Sequence, residues 1–414
     1  MDSSINNYEG SLRIDVTTDN LVPVAGANIL VSFSGDPDSP VLSGSTNVNG
    51  QSGIFKLAAP SLSYSLSPSS VQPYSEYTIK VKAAGFVPYL ASGVEILPDE
   101  VAILPVVLER DSSYSPDFEV ITVPAHTLYG DYPPKIAESE IKPVNASGEI
   151  VLSRVVVPEY IVVHDGAPSD PTAKDYYVRY SDYIANVASS EIYSTWPDEA
   201  IRANVLAIMS FTLNRVYTEW YRNKGYDFTI TSSTAFDHKW VYGRNIFENI
   251  SLIVDELFGY YISRPNVKQP ILTQYCDGRN TVCPNWMTQW GSKSLADKGY
   301  SAIEILRYYY GDSVYINSAE EISGIPASWP GYELDIGSSG SKVAFLQEEL
   351  NAISHNYPAI PTIDVDGIYG ENTADAVMTF QKIFNLPQTG VTDYSTWYKI
   401  SQIYVGVTQI AELV

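Results

Sequence analysis

The hydrophobic period changes along this chain, and no single sheet or bundle satisfies both patterns. "SLRIDVTT", "ANILVSFSG", "SGIFKLAAP", "YTIKVKAAGF" and "VAILPVVLER", all between residues 9 and 110, alternate apolar and polar residues. That period of two places one set of side chains on one face of a strand. From Pro197 to Asn223 the spacing is helical. Ile201, Val205, Ile208 and Thr212 line one face, and Leu206, Leu213, Val216 and Trp220 line another. A helix apolar nearly all round is a buried one. With 414 residues, at roughly 150 per domain, about three domains are expected.

Turn residues punctuate the early strands, as in "NVNGQSG" and "GDPDSP". Short, regular strands without a helical pattern predict an all-β sandwich over residues 1–110. Residues 111–157 scatter Pro and Ser without a period and read as a partly extended linker, the kind of segment proteases cut. Residues 158–325 mix a strand, "EYIVVHDG", with helices and predict an α+β domain. Pro197 suits a first helical turn and "NKGY" a helix stop. "MTQWGSKSLADKGYSAIEILRYYYG" reads as two helices separated by Gly299. Residues 331–414 carry amphipathic helices, with Val343, Leu346 and Leu350 on one and Val377, Phe380 and Ile383 on the next.

The charge balance is 25 basic against 48 acidic residues, a net −23. Nucleic acid is therefore not an expected partner, since phosphate binding needs clustered Lys and Arg. No apolar run reaches the roughly 18 residues of a membrane span. The N-terminal "MDSSINNYEGSLRIDV" lacks the basic start and apolar core of a conventional signal peptide. The 32 Tyr and 7 Trp offer flat apolar faces with polar tips, suited to core packing and to stacking on sugar rings.

Three resemblances follow. "PVAGANILV", "TNVNGQSGIFKL" and "YTIKVKAAGF" resemble carboxypeptidase-regulatory-like, transthyretin-type sandwiches, which implies a non-catalytic module. "LDIGSSGSKVAFLQEEL", "IDVDGIYGENTADAVMTFQ" and "TGVTDYSTWYKI" closely resemble the type 1 peptidoglycan-binding domain, a three-helix module. That implies peptidoglycan as partner, with Asp366, Tyr369 and Trp397 as candidate glycan-binding residues. Tyr183, Ile184, Val187, Glu191 and the run Glu199 to Asn204, together with "WMTQWGSKSLADKGYSAIEILRYYYGD", resemble the SpoIID/LytB family. Its members act on peptidoglycan, some as lytic transglycosylases, others as enhancers of amidases. Glu191 falls at the family's catalytic glutamate. Met209 stands where the family has Arg, Arg202 where it has Lys, and Cys283 where a His often lies.

The order of sandwich, linker, SpoIID/LytB-like domain and peptidoglycan-binding domain resembles the cortex-lytic enzymes of anaerobic spore-formers. It implies a proenzyme acting at the spore cortex during germination, outside the cytoplasm, and activated by a subtilisin-like serine protease. The cut is expected between about Val144 and Val157.

Cleaving a glycosidic bond needs a proton donor for the leaving oxygen. A carboxyl serves when apolar surroundings raise its pKa. Ile192, Tyr193 and Trp196 flank Glu191, whereas a helix N-terminus at Pro197 would favour its anion. A lytic transglycosylase needs only one carboxyl, because the muramic 6-hydroxyl attacks C1. Arg202, Glu199 and Gln289 are the candidate supporting residues; Arg202 alternatively pairs locally with Glu199 or Asp198. Cys276 and Cys283 suit a disulfide or, with His238, a zinc site. A cysteine nucleophile with His238 or His164 and an unmodified pair are further readings. The chemistry requires no cofactor; zinc enters only if the cysteines are ligands.

Overall fold

Residues 12, 14 and 16 of β1 (Tyr8–Thr17) have no exposed surface, while Arg13 and Asp15 point out and pair with each other at 2.8 Å. β2 (Asn28–Phe33), β4 (Phe55–Ala59), β5 (Ser75–Lys82), β6 (Tyr89–Ile96) and β7 (Val101–Val107) also bury side chains in the core, β3 (Leu42–Ser45) is a largely exposed edge strand, and a one-turn helix, α1 (Ser63–Leu66), lies between β4 and β5. The computed structural model describes residues 8–111, 117–130, 132–142 and 152–409. The strands form two sheets. One runs β3-β2-β5-β6 and ends on β8 (Glu119–Thr122); the other runs β4-β1-β7. Leu12, Ile14, Ile29, Val31, Ile79 and Leu104, all fully buried, lie in one core.

The segment after β7 is not the loose linker that its composition suggests. β8 adds in parallel to β6, with Tyr89 opposite Glu119. Residues 132–142 then run across the middle of the molecule as a strap. Ile136 N–H donates to Ala235 O at 2.7 Å, Glu138 N–H to Gln274 Oε1 at 2.8 Å and Lys142 N–H to Gln269 Oε1 at 2.7 Å. Pro and Ser remove local periodicity, yet the backbone groups find partners about a hundred residues or more away. Residues 143–151, with most of the expected cleavage window, lie outside the described residues. Within the rest of that window Ser153 and Arg154 are exposed, while Val155 and Val157 are fully buried.

β9 (Val156–Val157) leads into the hairpin of β10 (Tyr160–His164) and β11 (Asp175–Arg179). Next come α2 (Tyr180–Glu191) and α3 (Asp198–Tyr217). Sixteen of the twenty α3 residues are buried, as an all-round apolar helix requires. The helix stops at Tyr217 rather than Asn223. Glu219 adopts a left-handed conformation (φ 44°), and a short 3-10 turn ends on Gly225 (φ 84°), where glycine is favoured. β12 (Ile230–Thr231) pairs with β10, and β13 (Ile246–Phe247) pairs with β7, so the middle region completes an N-terminal sheet.

α4 (Glu248–Leu257), β14 (Tyr260–Ser263), β15 (Tyr275–Cys276) and β16 (Met287–Thr288) follow, then α5 (Gln289–Ala296) and α6 (Ala302–Tyr310). Gly299 lies between the two helices, and Ser301 with Glu304 forms a capping box on α6. β17 (Tyr315–Ser318) pairs with β14, and β18 (Glu321–Ile322) with β9. The C-terminal unit is helical: α7 (Ser341–Ser354), α8 (Glu371–Ile383) and α9 (Tyr394–Thr408). The buried Val343, Leu346, Leu350, Val377, Phe380 and Trp397 form its centre. It docks on α4 through Lys399 and Asp255, 2.9 Å apart and largely buried. Among the described residues no helix is long and apolar enough to cross a membrane.

Candidate active site

Glu191 is the last residue of α2, and its side chain has no exposed surface. The preceding turns bury Tyr183, Ile184, Val187 and Ala188, which fixes the helix so that its final carboxylate points inward. The Lys239 backbone N–H donates to Oε1 at 2.6 Å, and the Gln289 amide donates to Oε2 at 3.2 Å. Gln289 is delivered by the first turn of α5. That turn follows β16, which pairs with β15, and the Cys276–Cys283 disulfide ties the loop between these strands.

Further groups close the box. Tyr275 lies beside Glu191, and the His238 ring stacks near Tyr275 with centroids 5.8 Å apart. His238 Nδ1 is 3.0 Å from the Tyr183 hydroxyl. Burial and the nearby Lys135 and Arg215 charges hold this histidine well below its usual range, so it is neutral. The strap supplies Tyr132 and Lys135, both buried. The Lys135 ammonium donates to Asp237 O and sits 4.5 Å from the centre of the Tyr275 ring.

The strap is anchored by charge. Arg215, with a wholly buried side chain, holds Glu138 in a fork of 3.0 and 2.7 Å and Asp237 at 2.7 Å. Lys142 also pairs with Glu138. Two further bonds to Asp237 come from the Tyr221 hydroxyl at 2.6 Å and the Thr231 hydroxyl at 2.7 Å. Three cations (Lys135, Lys142, Arg215) thus face three carboxyls (Glu138, Glu191, Asp237), which is how this much charge is accommodated away from water.

Burial pushes the Glu191 carboxyl above its ordinary range. Lys135, Tyr275, the Lys239 N–H and Gln289 pull the other way without cancelling it. A carboxyl so placed can hold a proton and give it up, the requirement for a general acid.

Of the supporting residues expected from sequence, Gln289 reaches Glu191. Arg202 does not: it pairs with Glu256 and, at 3.9 Å, with Glu199. Glu199 accepts from the Ala302 N–H at 2.6 Å, capping α6. The zinc reading of Cys276, Cys283 and His238 is set aside, because the two sulfurs are bonded to each other and neither is a free thiolate. The same bond removes the cysteine nucleophile. His164 pairs with Asp175 at 2.8 Å and stacks on Phe228.

Two of the three candidate glycan-binding residues of the C-terminal unit are also corrected. Tyr369 and Trp397 have no exposed surface; Tyr369 donates to Gly390 O at 2.9 Å and Trp397 to Ala327 O at 3.2 Å. They hold the fold and present no face to a sugar. Asp366 is exposed, and its Oδ1 accepts from Gln347 and from the Ile368 N–H, shaping the turn. Sequence reasoning missed Tyr132, Lys135, Lys239 and Tyr275. Lys239 and Tyr275 had a weak signal in the aromatic stretches "FDHKWVY" and "TQYC"; Tyr132 and Lys135, in "DYPPK", had none.

Residues 339–400 match the family model described as "Putative peptidoglycan binding domain", so the C-terminal helical unit is a peptidoglycan-binding domain of that family. No curated protein matches the chain. Among solved structures, the SleB N-terminal domain is 28% identical over 19% of this chain and 99% of its own, with a TM-score of 0.17. Catechol 1,2-dioxygenase from Acinetobacter sp. ADP1 is 11% identical over 30% of this chain and 60% of its own, with a TM-score of 0.20.

Proposed function

We propose that this chain is the proenzyme of a peptidoglycan-lytic enzyme of the spore cortex, a lytic transglycosylase that cleaves the MurNAc–GlcNAc bond during germination. The observation that carries this reading is Glu191: one inward carboxyl, its pKa raised by burial and its oxygens oriented by Lys239 and Gln289. The SpoIID/LytB-like motifs around it and the C-terminal peptidoglycan-binding domain supply the substrate class. The order of segments resembles that of the spore cortex-lytic enzyme SleC.

Protonated Glu191 gives its proton to the glycosidic oxygen as the C1–O bond breaks. The resulting carboxylate then takes the proton of the muramic 6-hydroxyl while that oxygen closes on C1. The product is a 1,6-anhydro end, and Glu191 regains its proton without an activated water.

The strap gives the uncut chain a physical means of staying inactive. Tyr132 and Lys135 lie buried near Glu191, which has no exposed surface, and the release of residues 132–142 is the step proposed to open the carboxyl to substrate. A serine protease cutting between about residues 144 and 157, a window in which Ser153 and Arg154 are exposed, would free the strap from the chain that follows. The site of action is then extracytoplasmic, at the cortex.

A second reading, a non-catalytic wall-binding enhancer of an amidase, is favoured by Met209. It is wholly buried on α3 where the resembled family carries Arg. Muramidase and amidase activities are the nearest enzymatic alternatives. Glu191→Gln in the protease-processed chain separates glycan cleavage by Glu191 from the non-catalytic reading. It should abolish release of glycan fragments from cortex while leaving wall binding intact. Release at the wild-type rate would remove Glu191 as the acid.

A further inference from the structure

A groove of about 440 Å³ is lined in part by residues 239–242. Lys239, whose N–H binds the Glu191 carboxylate, begins one wall, and Trp240 and Tyr242 continue it. At no more than about 3.5 Å per residue, this wall starts within about 10 Å of the candidate acid. Tyr176 of β11 joins it. Its ring lies 4.8 Å from Tyr242, nearly parallel, and 5.2 Å from Trp240. Tyr242 is 41% exposed, so this stack presents a face to solvent. Lys174 lies at the rim, and β8 forms the opposite wall, where the Tyr242 hydroxyl donates to Glu119 at 3.3 Å.

One group in the wall is unpaired. Trp240 is 5% exposed, and its indole N–H has no acceptor. A buried donor left unpaired is destabilising, and a ligand acceptor brought to it would relieve that. Flat aromatic faces, an unpaired donor and the exposed Lys174 suit a pyranose chain that also carries a carboxylate.

We infer that the Tyr176–Trp240–Tyr242 groove is a glycan subsite for muramic-acid-containing strands, stacking a sugar on Tyr242 and pairing its lactyl carboxylate with Lys174. This rests on the peptidoglycan-lytic reading and extends it by naming where the strand lies beside Glu191. β8 belongs to the segment ahead of the expected cut, so the same strand that precedes the strap narrows this groove.

The test is binding, which is read independently of cleavage. Full-length protein is titrated with two soluble probes, the GlcNAc–MurNAc tetrasaccharide without peptides and chitotetraose, followed by calorimetry. Tyr242→Ala should weaken both at least tenfold, and Trp240→Phe, which keeps a ring but removes the N–H, several-fold. Lys174→Met should weaken only the muramic probe. Unchanged circular dichroism and melting temperature establish that each variant is folded. Wild-type affinity in both Tyr242→Ala and Trp240→Phe, or no binding of either probe by the wild type, overturns the subsite. If binding behaves as expected while Glu191→Gln leaves lysis untouched, the catalytic reading falls and the subsite stands.

Discussion

Glu138→Ala is the sharpest perturbation of the strap. Glu138 accepts both arms of the Arg215 fork and the Lys142 ammonium, and nothing else in the strap bonds Arg215. Burial pushes its carboxyl up, but Arg215 and Lys142 outweigh burial and hold it below the usual carboxylate range. Removing one partner of a buried pair costs about 3–5 kcal/mol. Arg215 keeps Asp237, and the Glu138 side chain is 14% exposed, which places the loss at the lower end, about 3 kcal/mol. At about 1.4 kcal/mol per decade the strap should open roughly a hundredfold more often. The partly exposed Glu140–Arg264 pair, worth about 0–1 kcal/mol, cannot hold it alone. Native-state hydrogen exchange reads this directly. The amides of Ile136, Glu138 and Lys142 should exchange about a hundredfold faster, while those of α3 stay unchanged. The uncut variant should also begin to digest cortex. Unchanged exchange in the strap, or equal acceleration in strap and α3, would refute the claim that the strap is a separately releasable cover.

Two further outcomes follow from buried groups. Glu95, facing Arg244 at 2.7 Å, is pushed up to about 7, chiefly by burial against the pull of Arg244, and Glu349, beside Ser401, is pushed up by burial to about 8. Both folded-state values exceed the ordinary 4.5. The folded state therefore binds more protons between pH 4.5 and 8, and stability falls as pH rises through that window. His126 and His238, held neutral well below the ordinary 6.5 by burial, oppose this below pH 6.5, so the comparison is made above it: the melting temperature should be higher at pH 6.5 than at pH 8, and a flat or rising profile there contradicts this. Glu138 works in the opposite sense, but its contribution is lost only as pH falls below the ordinary 4.5. Replacing Cys276 and Cys283 by Ser opens a short loop, and the entropy of closing it predicts a loss of about 2–3 kcal/mol. Denaturant midpoints of the two forms measure that loss, and equal midpoints would show that β15 and β16 hold the loop unaided.

What the sequence carried was local. Periods of two and 3.6 located the early strands, α3 and the first two C-terminal helices, while α9 came only with the family resemblance, and Gly299 separated α5 from α6 because a glycine stop and a Ser-x-x-Glu cap are written within a few residues. The strap was invisible because its bonds join Glu138 to Arg215 and Glu140 to Arg264, far apart along the chain and without periodicity. Glu191 was legible by motif, but its oxygen partners, Lys239 and Gln289, lie 48 and 98 residues away. Arg202 shows the limit of helix arithmetic: Glu199 is at the expected spacing, yet Glu256 of α4 makes the closer pair. Tyr369 and Trp397 show another, since an aromatic ring serves a sugar and a core equally well in sequence and only burial tells them apart.

The central claim is that Glu191 alone carries out transglycosylation once the strap is gone. Mass spectrometry of the muropeptides that the processed chain releases from cortex tests it most directly. The account predicts fragments ending in 1,6-anhydro-muramic acid, 18 mass units below the hydrated form, and their loss in Glu191→Gln. Fragments with reducing ends only, or free peptides with intact glycan, would contradict it.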